Sequence, residues 1–130
     1  MIRVFDASAV LAALFDEAGA DRVIELWGGS DSLLSSANYA EVVTKLSDRG
    51  MSPSQAKTVM EAVPLRLVPL DESTAFKAAF LREGTKSLGL SLGDRVCLAL
   101  GLAMEAQVVT ADRAWQQIRG IAKLDILLIR

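Results

Sequence analysis

Short apolar runs alternate with longer stretches of helical periodicity along the whole sequence. Parallel strands need crossover connections, which are usually helices, so this alternation predicts an α/β fold. We expect a three-layer α/β/α architecture with a central, mostly parallel sheet of four to five strands. The predicted strands are 2–5, 32–35, 65–70, 107–110 and 125–129. The predicted helices are 7–15, 20–27, 39–49, 53–63, 71–82, 91–106 and 112–118, with a loop at 83–90.

Chain length predicts one domain spanning residues 1–130, because ordinary domains run to roughly 100–150 residues. The sequence is 52% hydrophobic and has no long linker, which favours a compact core. Helix 91–106 is apolar on nearly every face, as Val96, Leu98 and Leu100 illustrate, and is therefore predicted to be buried.

Several function classes are excluded by missing residue types. The sequence contains no histidine, which rules out Ser-His-Asp hydrolases and zinc sites that need imidazole. The single cysteine, Cys97, cannot form an internal disulfide, which favours the cytoplasm. The longest apolar run, 96–104, is too short to span a bilayer, and no membrane partner is expected. The net charge of −2 argues against a general nucleic-acid binder.

Four acidic residues are predicted at the carboxyl edge of the sheet, where ligands of open α/β folds bind. Asp6 ends the first strand, and Asp112 follows the fourth. Glu41 and Asp94 are placed in the first turns of two helices. Four converging carboxylates repel one another unless a cation neutralises them. Mg²⁺ or Mn²⁺ prefers such oxygen ligands, so the pattern indicates a hard-metal site.

Helix capping is the alternative explanation for each acid taken singly. Asp71 serves as a comparison, because it also follows a strand and precedes a helix, and only the strand order decides whether it joins the other acids. Capping alone gives no reason for the acids to gather at the centre of the sheet. The expected N-caps are Asp6 and Asp112, and the expected capping boxes are Asn38 with Glu41 and Ser91 with Asp94.

The segments around the four acids resemble those of PIN-domain ribonucleases, especially the VapC-type toxins of toxin–antitoxin pairs. The matching segments are Val4-Phe5-Asp6-Ala7-Ser8, Ser36-Ala37-Asn38-Tyr39-Ala40-Glu41-Val42, Leu90-Ser91-Leu92-Gly93-Asp94-Arg95 and Val108-Val109-Thr110-Ala111-Asp112-Arg113. They occur in the family's order and cover essentially the whole chain. Some relatives have a further acid shortly after the fourth, whereas Ala114 and Trp115 stand here.

The resemblance implies a metal-dependent endoribonuclease whose catalytic and metal-binding residues are Asp6, Glu41, Asp94 and Asp112. One or two Mg²⁺ or Mn²⁺ ions would be bound, and hydrolysis by water would leave 5′-phosphate and 3′-hydroxyl ends. It further implies an RNA substrate, a cognate antitoxin and a homodimer. Helices 20–27 and 53–63 are the candidate partner surfaces.

Four neighbouring polar residues are candidates for supporting roles. Ser8 and Thr110 could orient a carboxylate or make only local backbone bonds. Arg95 and Arg113 could bind substrate phosphate or pair with a neighbouring carboxylate. The alternative functions are a metal-free α/β binding module and a receiver-like domain, although no strand-end lysine suits the latter.

Overall fold

The computed structural model describes residues 1–118, 120–121 and 123–130, and in these residues the five strands form one all-parallel sheet. The three-layer α/β/α prediction is thereby confirmed. The strand order is β3-β2-β1-β4-β5, with the following bounds: β1 Arg3–Phe5, β2 Ser32–Ser35, β3 Arg66–Val68, β4 Gln107–Thr110 and β5 Asp125–Leu128.

Helices cover both faces of this sheet. Their bounds are α1 Ala7–Leu14, α2 Ala20–Leu26, α3 Ser36–Asp48, α4 Pro53–Ala62, α5 Glu72–Thr85 and α6 Leu92–Ala103, and short 3-10 turns lie at Lys86–Leu88 and Arg113–Gln117. The prediction of a loop at 83–90 was therefore partly wrong, because α5 runs on to Thr85 and a 3-10 turn follows.

Strand alternation divides the core into two layers. Phe5, Leu34 and Val109 point to the face covered by α1 and α3, whereas their neighbours Val4 and Leu33 point to the face covered by α6. Both sets are buried, which explains why these short strands read as continuous apolar runs. The predicted burial of α6 is confirmed by eight buried residues in its twelve.

Two helix ends differ from their predicted positions. Helix α3 begins at Ser36 rather than near Tyr39, because the Ser35 side chain caps it by accepting from the Asn38 amide. Helix α6 ends at Ala103 rather than near Ala106, and Glu105 just beyond it has a left-handed φ of 50°.

Strand β1 lies at the centre of the sheet and pairs with β2 on one side and β4 on the other. The chain moves outward in one direction from β1 to β3 and then in the other direction through β4 and β5. The boundary between β1 and β4 is thus the topological switch point, outside which open α/β sheets bind ligands. Asp6 and Thr110 stand at the carboxyl ends of these two strands.

Candidate functional site

Asp6 is fixed at the end of β1 by both its main chain and its side chain. Its amide donates to the Val109 carbonyl at 3.0 Å, which extends the pairing of β1 with β4. Its carboxylate caps α1, since Oδ1 accepts from the Ala9 amide at 2.8 Å. The residue is only 2% exposed, so this cap is also a buried acid.

Two hydroxyl groups complete the surroundings of Asp6. Ser8 Oγ lies 2.7 Å from Oδ1 and 2.8 Å from Oδ2, and Thr110 Oγ1 donates to Oδ2 at 2.6 Å. Each hydroxyl also accepts a main-chain hydrogen bond, Ser8 from the Ala111 amide and Thr110 from the Asp112 amide. These amides leave each hydroxyl proton free to point at the Asp6 carboxylate.

Asp6 therefore accepts hydrogen bonds from neutral donors only. Burial raises its pKa from 3.8 to about 6, since the lowering effect of the Thr110, Ala9 and Ser8 donors does not offset desolvation. The nearby charge of Asp94 raises it further. A cation beside this carboxylate would relieve the same penalty.

Glu41 extends from α3 toward the start of α6. Asn38 Nδ2 donates to Glu41 Oε1 at 2.7 Å and approaches the Gly93 carbonyl at 3.3 Å. A Cβ on Gly93 would overlap the Glu41 carboxylate, so the glycine provides the space in which the acid lies. Burial, followed by the charge of Asp94, raises the pKa of Glu41.

The sequence assigned a different role to Asn38. It was predicted to be an N-cap in a capping box with Glu41, but it lies inside α3 and is fully buried, so that prediction was wrong. Its side chain instead joins Glu41 to the α6 segment, while Ser35 Oγ donates to Asn38 Oδ1 at 3.1 Å. The three-residue spacing of Asn38 and Glu41 was the sequence signal for their contact. It does not distinguish a capping box from a contact between successive turns inside a helix.

Asp94 stands in the first turn of α6, where the predicted capping box with Ser91 is confirmed. The Ser91 amide donates to Oδ2 of Asp94 at 2.9 Å, and the Asp94 amide donates to Ser91 Oγ at 3.1 Å. Burial raises the pKa of Asp94 despite these bonds, and the charge of Asp112 contributes in the same direction.

Asp112 follows β4 and caps the 3-10 turn that begins at Arg113, as predicted. Its Oδ1 accepts from the Ala114 amide at 2.9 Å. The side chain is exposed, in contrast to that of Asp6. Thr110 connects Asp112 with Asp6 at this edge of the sheet, because Thr110 Oγ1 accepts from the Asp112 amide and donates to Asp6 Oδ2.

Asp94 is the acid that interacts electrostatically with each of the other three. Its charge raises the pKa of Asp6 and of Glu41, and the charge of Asp112 raises the pKa of Asp94. None of the four forms an ion pair with a Lys or Arg among the described residues. In the observed side-chain positions of residues 1–118, 120–121 and 123–130, no three acids could hold one ion together. Their donor set nevertheless suits a hard divalent cation, because it consists of carboxylate oxygens alone.

Asp71 does not join this cluster. It follows β3, which is an edge strand separated from β1 by β2. It caps α5 through the Thr74 amide, and that bond lowers its pKa. Asp71 is thus an ordinary helix cap, because the strand order places the end of β3 away from the switch point.

The two candidate arginines occupy different surroundings. Arg95 is 9% exposed, and its Nη1 donates to the Ala78 carbonyl at 2.9 Å, so it braces α6 against α5 rather than binding phosphate or a neighbouring carboxylate. Arg113 is exposed directly beside Asp112.

Trp115 is fully buried and Cys97 is a buried thiol, so both contribute to packing.

In a comparison against protein families, the PIN domain matches residues 3–121. The chain belongs to the PIN domain family. This membership confirms the family resemblance noted in the sequence. The matched residues include all four acids of the site, from Asp6 after β1 to Asp112 after β4.

Solved structures share this PIN-domain fold over nearly their full length. A chain from a toxin–antitoxin complex of Klebsiella pneumoniae has a TM-score of 0.73 and 16% identity, with 98% of each chain covered. A chain of DNA-bound VapBC from Salmonella typhimurium has a TM-score of 0.75 and 15% identity, covering 100% of this chain and 99% of that chain. A chain of VapBC-1 from nontypeable Haemophilus influenzae has a TM-score of 0.73 and 18% identity, covering 99% of this chain and 98% of that chain.

These likenesses concern the fold, since all three identities are low. Comparison with curated protein sequences gives no significant match. Within the described residues of this PIN domain, no helix is both long and apolar enough to cross a membrane.

Proposed function

We propose that residues 1–130 act as a single PIN nuclease domain that hydrolyses RNA phosphodiester bonds with the help of Mg²⁺ or Mn²⁺. The observation that carries this proposal is the grouping of Asp6, Glu41, Asp94 and Asp112. Thr110 contacts both Asp6 and Asp112, and the Glu41 carboxylate lies against Gly93, which precedes Asp94. None of the four acids forms an ion pair with a Lys or Arg among the described residues. Such a cluster is electrostatically costly on its own and is suited to one or two divalent ions.

Neighbouring groups hold three of the four carboxylates in position by hydrogen bonds. Asp6 is held by Ser8 and Thr110, Glu41 by Asn38, and Asp94 by its capping box. Asp6, Glu41 and Asp94 would bind the principal ion directly or through water once their side chains turn toward it, and Asp112 would complete the site or support a second ion. A bound divalent ion neutralises phosphate oxygens and lowers the pKa of a water molecule.

The chain's own residues would position the substrate around that site. Arg113 is exposed beside Asp112 and would donate to a phosphate oxygen. The sequence has no histidine to accept the proton of the substrate's 2′-hydroxyl, so attack by water is favoured. Hydrolysis in line with the leaving oxygen would leave 5′-phosphate and 3′-hydroxyl ends.

We further propose that this nuclease is the toxin of a toxin–antitoxin pair acting in the cytoplasm. Support comes from the solved structures of the same fold, which include complexes of this kind. A homodimer and a cognate antitoxin would cover exposed apolar residues, which include Ile24 on the predicted surface of α2 and Phe76 and Phe80 on α5.

Cleavage of single-stranded RNA tests the nuclease proposal. We expect cleavage with Mn²⁺ or Mg²⁺, its loss on chelation, and its loss in Asp6→Asn and Asp94→Asn variants that retain the wild-type circular dichroism spectrum. Asp71→Asn is the matched control, because asparagine also caps helices and Asp71 lies outside the cluster. Products with 2′,3′-cyclic phosphate ends would contradict the water mechanism, whereas a protein without cleavage or metal response would be a metal-free binding module.

A further inference from the structure

A groove beside the acid cluster has a different charge character from the cluster itself. It encloses about 430 Å³ and begins at Ser8, whose hydroxyl contacts Asp6. The basic side chains along it are Lys45, Arg49 and Arg130. Setting aside the four acids of the site leaves twelve acidic residues against fourteen basic ones, so the rest of the sequence has a formal net charge of +2.

Helix geometry connects this groove with the site. Glu41, Lys45 and Arg49 follow one another at intervals of four residues along α3 and its C-cap, so they share one face. At 1.5 Å per residue, Lys45 lies about 6 Å and Arg49 about 12 Å along the helix from Glu41. One face of α3 therefore carries an acid of the site at one end and two cations beyond it.

Arg49 is held in position without losing its hydrogen-bonding capacity. Its guanidinium carbon lies 4.0 Å from the centroid of the Phe15 ring, which is also part of the groove wall. A guanidinium stacked on an aromatic ring interacts through its face and leaves the N–H groups at its edge free to donate. Both Arg49 and Lys45 are exposed.

Among the residues that the structure describes, neither Lys45 nor Arg49 forms an ion pair with an acidic side chain. Arg130 pairs with Glu17 at 3.7 Å and donates to the Ala18 carbonyl at 3.2 Å. Asp48 is the other acid lining the groove. Lys45 and Arg49 thus outnumber Asp48 along the wall that leads to Ser8.

We propose that Lys45 and Arg49 bind backbone phosphates of an RNA strand whose neighbouring phosphodiester bond lies at the acid cluster. This inference rests on the proposed nuclease function and assigns the groove as the path of the flanking nucleotides. The acid cluster repels a polyanion, so cations immediately beside it are needed to hold the strand in place. Their regular spacing along one helix face suits a repeating phosphate backbone.

Salt-dependent binding tests this assignment independently of cleavage. Fluorescence anisotropy with a single-stranded RNA of about eight nucleotides, in the presence of chelator, measures affinity over a range of salt concentrations. We expect Lys45→Gln and Arg49→Gln each to weaken binding severalfold and to reduce the slope of log K against log salt by about 0.7, the value for one lost contact with single-stranded nucleic acid. Lys77→Gln and Arg82→Gln on α5 are the matched controls and should leave both quantities unchanged.

A third variant separates charge from position. Phe15→Leu keeps the groove apolar and retains Arg49, so we expect weaker binding with an unchanged salt slope. If the Lys45 and Arg49 variants bind RNA with the affinity and slope of the wild type, the proposal is overturned. An acidic peptide that binds with the same dependence on Lys45 and Arg49, while RNA binding is unaffected by them, would overturn it in favour of a protein partner.

Failure of the nuclease proposal gives a different result. In that case RNA would remain intact in the presence of Mn²⁺. The anisotropy experiment in chelator would still show whether Lys45 and Arg49 contribute to RNA affinity. If cleavage occurs, we expect the wild type to cleave longer strands with a lower KM than a dinucleotide. In the Lys45→Gln and Arg49→Gln variants, the KM for longer strands should rise toward that for the dinucleotide, while kcat is retained. A preference that persists in both variants would show that flanking phosphates bind elsewhere.

Discussion

The Thr110 hydroxyl donates to Oδ2 of Asp6 at 2.6 Å and thereby joins the carboxyl ends of β4 and β1. Thr110 Oγ1 also accepts from the Asp112 amide at 3.0 Å, so the fully buried Thr110 side chain contacts two segments that carry acids of the site. The contact crosses the switch point of the sheet. We infer from it that Thr110 orients the Asp6 carboxylate in addition to making a local bond with the Asp112 amide.

Removing this hydroxyl should therefore affect more than local stability. We expect Thr110→Val to raise the pKa of Asp6 further, to lower Mn²⁺ affinity or RNA cleavage by roughly 10–100-fold, and to destabilise the fold by about 1–3 kcal/mol. Thr110→Ser should restore most of the activity because it retains the donor. Mn²⁺ titration and cleavage rates check this prediction, and a valine variant with wild-type Mn²⁺ affinity and cleavage would assign Thr110 a purely structural role.

The buried Asp6 carboxyl should give the metal-free protein a distinctive pH dependence. Its pKa is about 6 in the folded state and 3.8 without burial, so folding favours the protonated form. The associated stability is fully present below about pH 4, is lost as the pH rises through about 6, and amounts to roughly 2–3 kcal/mol.

Denaturant unfolding of the wild type and Asp6→Asn in chelator measures this effect. The difference in stability between the two proteins should shift in favour of Asp6→Asn between about pH 4 and about pH 8. Subtracting the variant removes the contribution of other acids, including Asp71, whose lowered pKa acts in the opposite direction. A difference that stays constant with pH would mean that Asp6 is not a costly buried charge.

Divalent ions should stabilise the folded protein by relieving repulsion within the cluster. At an ion concentration of about 100 times Kd, the expected gain is about 2.7 kcal/mol, seen as a higher Tm with Mn²⁺ or Mg²⁺ than with chelator. Asp94→Asn should lose most of the gain because Asp94 interacts electrostatically with the other three acids. Asp71→Asn should retain it, and an equal loss in this control would point to nonspecific ion binding.

Two glycines in helices provide a matched pair for testing the position of Glu41. A methyl group on Gly93 would overlap the Glu41 carboxylate, whereas nothing lies within 4 Å of a Cβ placed on Gly84. We expect Gly93→Ala to lower RNA cleavage by displacing Glu41, although alanine itself favours the helix. Gly84→Ala should increase stability by up to about 1 kcal/mol and leave cleavage unchanged. Full cleavage by Gly93→Ala would show that Glu41 tolerates displacement.

The local elements of the site were largely predictable because their signals lie within a few neighbouring residues. Ser91 and Asp94 form the expected capping box, and Asp6 and Asp112 form the expected N-caps. The start of α3 was misplaced because Ser35 and Asn38 are both favourable N-cap residues and the local sequence does not separate them. Choosing Ser35 places Asn38 inside the helix, where it orients Glu41.

By itself, the sequence determined the α/β alternation, the buried character of α6 and the positions of the acids relative to their strands. Only the tertiary structure decided which strand ends meet. Asp6 and Asp71 have the same local context, yet β1 lies at the centre of the sheet and β3 at its edge, so one acid enters the cluster and the other only caps a helix. Arg95 likewise lies next to Asp94 in sequence but turns toward Ala78 in space. Residue spacing sets local hydrogen bonds, whereas strand order and packing across the sheet decide which charges face one another.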